Sequence, residues 1–376
     1  MLTALTNAVI FTGEKILRGK TLIIKDDRID CIVEPSQIPS SADIIDLQGQ
    51  NIASGLIDLQ IYGAGRKMFA GKPTTDALEE MENVLLSQGC TGFFAAVATN
   101  TPAIVEQAIQ SAKAYRKKAI GNFWGLHLEG PYLNPQCKGA HPEELIKKGT
   151  LQELKSWVEQ AEGEIKMMTI APELQDQEVI SYLYDQGIII SAGHSNATYE
   201  EAAGFLNNPV QACTHLYNAM SKIHHREPGL VPAILEMKPY TSVVADGIHV
   251  SFPMIKLAKR ELDDHLFLIT DAVTETTEGR YPHVFKGDRY TMPDGTLSGS
   301  CLTMLKAVEN CVKFADISLE EALKMASSYP ATLIGKSDRI GKIKPGYKAD
   351  IIVFTDDYQI NKIFLNGNIS GRSIKN

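Results

Sequence analysis

The chain lacks three features that would each assign it to a broad class: paired cysteines, a long apolar run and an excess of basic residues. Its six cysteines (Cys31, Cys90, Cys137, Cys213, Cys301 and Cys311) are scattered and form no C-x-x-C pair. In a chain of 376 residues that pattern reads as reduced thiols in a reducing compartment rather than a disulfide framework. No apolar stretch approaches the ~18 residues of a membrane span. The opening MLTALTNAVIFTGEKIL has no basic segment, and polar residues interrupt its apolar part, so it makes a poor secretion signal. A cytoplasmic protein with no membrane partner is expected. Lys and Arg number 37 against 45 Asp and Glu, a net charge of −8. That balance argues against a nucleic-acid partner, because such binding needs a basic surface to displace counterions. An anionic substrate would need a local gathering of positive groups. Repeats, low-complexity tracts and long charge runs are also missing.

What is present is a regular alternation. From Gly55 to about Ala331, short apolar runs alternate with amphipathic segments such as DALEEMENVLLSQG, AIVEQAIQSAKAYRKK and MIKLAKREL. The runs are GLIDLQI, GFFAAVAT, FWGLHLEG, KMMTIAP, IIISAGH, QACTHL, YTSVVADG and LFLITDA. Alternating β and α elements imply a parallel sheet, and eight such units favour a closed TIM-type (β/α)8 barrel over an open doubly wound sheet. The two ends differ: both are β-like, with turn residues and no convincing helix. The expected organisation is a barrel over 55–335 and a small β-sandwich domain assembled from 1–54 plus 336–376.

Barrel enzymes build their sites where strands end, from the loops that follow. Here the strand ends carry Gln60 and Tyr62, Thr99 and Asn100, Glu129, Glu173, His194, His215, Asp246 and His249, and Asp271. The whole chain has nine histidines, yet three fall at or just past consecutive strand ends. Two neutral imidazoles and a carboxylate are the usual protein contribution to a catalytic divalent metal, which keeps one position open for water. Glu129, His194 and His215 fit that set. A carboxylate across the mouth, Asp271, could then move the water's proton. His127 shares a strand face with Glu129 and reads as a residue that orients Glu129 or fills the barrel. KIHHREPG gathers Lys222, His224, His225 and Arg226, and a guanidinium suits phosphate oxygens. Ser298-Gly299-Ser300 reads as a substrate-side loop, with Ser300 as a helix cap.

At these residues the sequence resembles the amidohydrolase superfamily, and within it the deacetylases of amino-sugar phosphates. The matching stretches are GLHLEGPYLNPQCKGAH (125–141), SAGHSNATYEEA (191–202), THLYNAM (214–220), REPGL (226–230), ADGIHV (245–250), LITDA (268–272) and GTLSGSCLTM (295–304). The closing GKIKPGYKADIIVF (341–354) is similar to the superfamily's C-terminal β segment. The resemblance implies hydrolysis of N-acetylglucosamine 6-phosphate to glucosamine 6-phosphate and acetate. It implies Glu129, His194 and His215 as metal ligands, and Asp271 as general base and acid. His141 is then a catalytic residue facing the acetamide carbonyl, with Ala140, Asn218, Ala219, Arg226 and His249 as substrate contacts. Arg226 would reach the sugar phosphate from a neighbouring subunit, which implies a homodimer.

Many amidohydrolases end the first strand in His-x-His and hold a second metal there. Gln60 and Tyr62 stand at those positions. A neutral amide is a feeble ligand and a phenol, with pKa near 10, keeps its proton. One divalent metal per subunit is therefore expected: Zn²⁺ first, with Fe²⁺ and Co²⁺ chemically open. The alternatives are a deacetylase for N-acetylgalactosamine 6-phosphate, another amidohydrolase, or a non-catalytic scaffold. Cyclic-amide hydrolases commonly place a lysine at the end of the fourth strand, and MMTIAP has none there. A scaffold would be expected to have lost a ligand or the proton-transfer group.

Overall fold

The computed structural model describes residues 1–276 and 279–370; the last residues of the expected C-terminal β segment, 371–376, lie outside these. Each of the eight apolar runs forms a strand. They are Leu56–Ile61, Cys90–Ala98, Phe123–Glu129, Ile165–Ile170, Ile189–Ala192, Ala212–Cys213, Tyr240–Val244 and Leu266–Ile269. They lie in chain order in one sheet, every neighbouring pair parallel. Strands covered on both faces should be apolar almost throughout, and all residues of the first two are buried.

Three of the helices between strands begin where a hydroxyl satisfies free backbone donors. Thr74 caps Thr75–Ser87, Thr150 caps Leu151–Ala161, and Thr198 with Glu201 forms a capping box on Tyr199–Phe205. The expected cap at Ser300 is wrong. Helix Met304–Phe314 is capped by Thr303, and Ser300 Oγ instead donates to the Thr270 carbonyl at 2.5 Å. The physical reason is that the chain is still extended at Ser300, which bridges Ala272 at the end of the eighth strand.

The barrel closes at a seam between the first and eighth strands, where side chains supplement a short backbone bridge. Asp271 N donates to Gln60 O at 3.0 Å, and Tyr62 N to Ala272 O at 2.9 Å. One turn deeper the fully buried Asp58 carboxylate accepts from Thr270 N at 3.2 Å and from the Thr270 hydroxyl. Below the mouth a polar chain crosses the barrel. His127 Nδ1 faces the Leu59 carbonyl (3.0 Å), so it carries the proton, and Nε2 must accept from Thr169 Oγ1 (2.7 Å). Thr169 in turn accepts from Thr214 (2.7 Å), and Thr214 from Ser191 (2.6 Å). His127 therefore fills the barrel, and burial pushes its pKa down to about 4.

Two further sheets use the chain ends. One, of four strands, is built from segments between Leu2 and Asp46; the other, of six, combines Val9–Phe11, Ile16–Leu17 and Asn51–Ser54 with Ile351–Phe354, Ile360–Leu365 and Asn368–Ser370. Leu5, Ile10, Leu22, Ile52, Ile351 and Phe364 form a core between them, separate from the barrel's.

Candidate active site

The strand ends converge on a cavity in the barrel mouth. Three ligand-type atoms close a triangle there. Glu129 Oε1 is 3.0 Å from His215 Nε2 and 3.4 Å from His194 Nε2, and the two nitrogens are 3.2 Å apart. Donors bonded at 2.0–2.2 Å around a tetrahedral ion sit about 3.3–3.6 Å apart, so a zinc-sized cation fits once two of these edges open by a few tenths of an ångström. His194 Nδ1 donates to the Cys137 carbonyl at 2.8 Å, which turns Nε2 toward the Glu129 carboxylate and the His215 ring. A carboxylate and two imidazoles gathered this closely are a donor set that suits a divalent cation. His141 joins from the other side, Nε2 3.1 Å from Glu129 Oε2, and its ligand atom lies within 4.8 Å of those of Glu129 and His194.

Backbone strain projects these groups. His194, His215 and Asp271 have φ of 48°, 37° and 54°, a left-handed region that non-glycine residues seldom occupy. Each turns sharply off its strand end and points its side chain into the mouth. Glu173 steadies one of these turns, accepting from Ser195 Oγ (2.8 Å), Asn196 N (2.9 Å) and Asn134 Nδ2 (3.0 Å) on either side of His194.

Gln60 and Tyr62 work as hydrogen-bond partners. Gln60 Nε2 lies 2.7 Å from Asp271 Oδ1, 3.0 Å from Glu129 Oε1 and 2.8 Å from the Tyr62 hydroxyl. Tyr62 donates a short hydrogen bond to Glu129 Oε2, and burial with the nearby carboxylates holds its pKa well above 10. Burial also raises Asp271 above the usual carboxylate range, the Glu129 charge adding to it and His215 opposing. His249 is held between two pure acceptors, Asp246 Oδ2 (2.5 Å) and the Ser298 carbonyl (2.7 Å), so both ring nitrogens carry protons. Burial opposes that charge, and the Asp246 carboxylate outweighs it, raising the His249 pKa.

The chain matches the amidohydrolase family model over residues 52–370 and a NagA composite domain model over 2–52. The chain belongs to the amidohydrolase family. It is 35% identical to the N-acetylglucosamine-6-phosphate deacetylase of Haemophilus influenzae, over 97% of this chain and 98% of that one. It is 28% identical to an N-acetylgalactosamine-6-phosphate deacetylase of Escherichia coli O157:H7, over 96% and 97%. Among solved structures, the N-acetylglucosamine-6-phosphate deacetylase of Pasteurella multocida superposes with a TM-score of 0.95 at 33% identity, covering 99% and 100% of the two chains.

Within this amidohydrolase the cavity brings together Glu129, His141, His194, His215, Asp271, Tyr62 and His249 with Ala140, Asn218 and Ala219. Arg226 lies on an exposed loop outside the cavity lining, beside Lys222, His224 and His225. Thr99 and Asn100 are buried but do not line it. Ser298 and Gly299 do, as the loop reading expected. Sequence reasoning missed the wall formed by Met68, Val273, Tyr281, His283 and Leu297. Most of it belongs to the segment that follows the eighth strand and forms a hairpin of two-residue strands, Val284–Phe285 and Tyr290–Thr291. Strands that short leave no periodic signal.

Proposed function

We propose that this amidohydrolase removes the N-acetyl group of N-acetylglucosamine 6-phosphate, giving glucosamine 6-phosphate and acetate. The observation that carries the reading is the closed triangle of Glu129, His194 and His215 with Asp271 beside it, linked to Glu129 through Gln60. The relatives named above supply the substrate class. A divalent cation held by Glu129, His194 and His215, Zn²⁺ first and Fe²⁺ or Co²⁺ next, supplies Lewis-acid polarisation of the acetamide carbonyl and acidifies water to a pKa of roughly 7.

The protein's own groups do the rest. Asp271 accepts a proton from the attacking water and returns it to the amine nitrogen as the C–N bond breaks. An amine leaves poorly without that proton, so one carboxylate acts twice. His141 faces the carbonyl and assists the developing oxyanion. His249, cationic between Asp246 and Ser298, offers an N–H to the sugar once the loop carbonyl yields. Arg226 binds the sugar phosphate of the neighbouring subunit in a homodimer, which accounts for its exposure in one chain. Gln60 and Tyr62 satisfy Glu129 without a second cation, so the reading is one metal per subunit. A cytoplasmic setting fits six free cysteines.

The test is acetate release from N-acetylglucosamine 6-phosphate by metal-loaded protein, alongside metal analysis. Turnover lost on chelation and restored by one equivalent of metal is expected. A preference for the galactosamine isomer would move the assignment to that substrate. Binding of two equivalents would overturn the single-metal reading.

A further inference from the structure

His283 lines the same cavity as Glu129, His141 and Asp271, and the chemistry described so far makes no use of it. It is 4% exposed. Its Nδ1 sits 3.0 Å from Ser298 Oγ, while its Nε2 is buried with no hydrogen-bond partner. A buried ring nitrogen left unpaired costs free energy that folded proteins seldom retain without a use, and a ligand is one source of the missing partner.

Two sets of contacts locate this ring relative to the reacting centre. The first runs through Ser298, whose carbonyl takes His249 Nε2 at 2.7 Å while its hydroxyl meets His283. The two histidines therefore flank a single residue. The second runs along a row of rings. The Tyr281 ring lies 6.1 Å from that of His141 and 6.2 Å from that of His283. His283 is thus two ring contacts from His141 and joined to His249 through Ser298.

Charge selects the kind of ligand. Burial pushes His283 down to about 4, so its imidazole is neutral where the enzyme works. A neutral imidazole gives little to a phosphate dianion but can donate to or accept from a hydroxyl. Met68, Val273 and Leu297 add apolar surface to the same cavity.

We propose that His283 is a substrate-binding residue whose Nε2 hydrogen-bonds the 3- or 4-hydroxyl of the amino-sugar phosphate. The proposal rests on the deacetylase reading and adds a specificity-determining contact to it.

The test compares metal-loaded wild type, His283→Asn and His283→Gln. Asparagine keeps a polar atom near Nδ1 for Ser298 and withdraws Nε2; glutamine restores a polar atom near Nε2. Substrates are N-acetylglucosamine 6-phosphate and its 3-deoxy and 4-deoxy analogues. His283→Asn should raise KM about tenfold with kcat within about threefold, the size of one neutral hydrogen bond, and His283→Gln should recover most of the loss. The analogue lacking the contacted hydroxyl should be handled with nearly equal kcat/KM by wild type and His283→Asn. An unaltered KM in His283→Asn overturns the proposal, as does an equal penalty for both analogues in variant and wild type. Metal content and thermal midpoint report whether a variant is intact, and His283→Phe repeats the comparison if His283→Asn does not fold. No turnover of N-acetylglucosamine 6-phosphate by wild type would instead overturn the deacetylase reading itself.

Discussion

At Gln60 one amide nitrogen has three oxygen neighbours and only two hydrogens, so the bonds to Asp271, Glu129 and Tyr62 must be shared. Tyr62 relieves the competition by donating to Glu129 Oε2, beside His141. Removing that hydroxyl in Tyr62→Phe should weaken metal retention by about 10–100-fold, measured by competition with a chelator, because partners of metal ligands tune affinity by that factor. Unchanged retention would mean that the phenol merely fills space. For Asp271→Asn the expectation is a kcat lower by about 10²–10⁴ with metal content intact. Residues of this kind were readable from sequence where a scarce residue type met a strand end, as with His194 and His215, or where a carboxylate closed an apolar strand, as with Asp271. Glu173 was readable as a strand-end carboxylate but not as the support beneath His194. That role depends on Asn134 and Ser195, which only the folded loops bring to it.

At the scale of elements, the seam between the first and eighth strands holds a carboxylate where other seams hold ladders. Asp58 is fully buried, and burial, with the Asp271 charge adding, raises its pKa to about 7. An unfolded aspartate titrates near 3.9. The folded chain therefore holds a proton that the unfolded chain has lost between about pH 4 and pH 7. The stabilisation from this group is complete below that window and is lost as pH rises through it, about 4 kcal/mol over some three pKa units. Asp58→Asn keeps the hydrogen-bonding shape without the charge. Urea unfolding should find it relatively more stable than wild type at pH 8 than at pH 4.5; a constant difference would count against this account. The barrel's strands were legible because double burial makes their runs apolar. The seam and the Val284–Thr291 hairpin were not. One is a contact between residues about 210 positions apart, and the other is too short to show a period.

At the scale of the whole molecule, Arg226 is exposed and no guanidinium lines the cavity among the described residues, so the proposed phosphate contact requires a second copy of the chain. Mixing subunits tests this directly. Asp271→Asn and Arg226→Ala should each be poorly active alone. In a reassembled mixture, one site of each hybrid dimer has both residues, so about a quarter of wild-type activity should return. No return would place Arg226 in the service of its own subunit. The architecture was readable from the ends inward, since helix-free β segments at both termini have little else to pair with than each other. Their pairing also sets a clock. Strand Asn51–Ser54 joins the barrel's first strand to the six-stranded sheet, and its antiparallel neighbour Ile351–Phe354 lies roughly 300 residues later. At 5–20 residues per second, a ribosome takes roughly 15–60 s to supply that neighbour. Through that interval the growing chain carries one bare strand edge at the entrance to its barrel, and the last strands to be made are the ones that cover it.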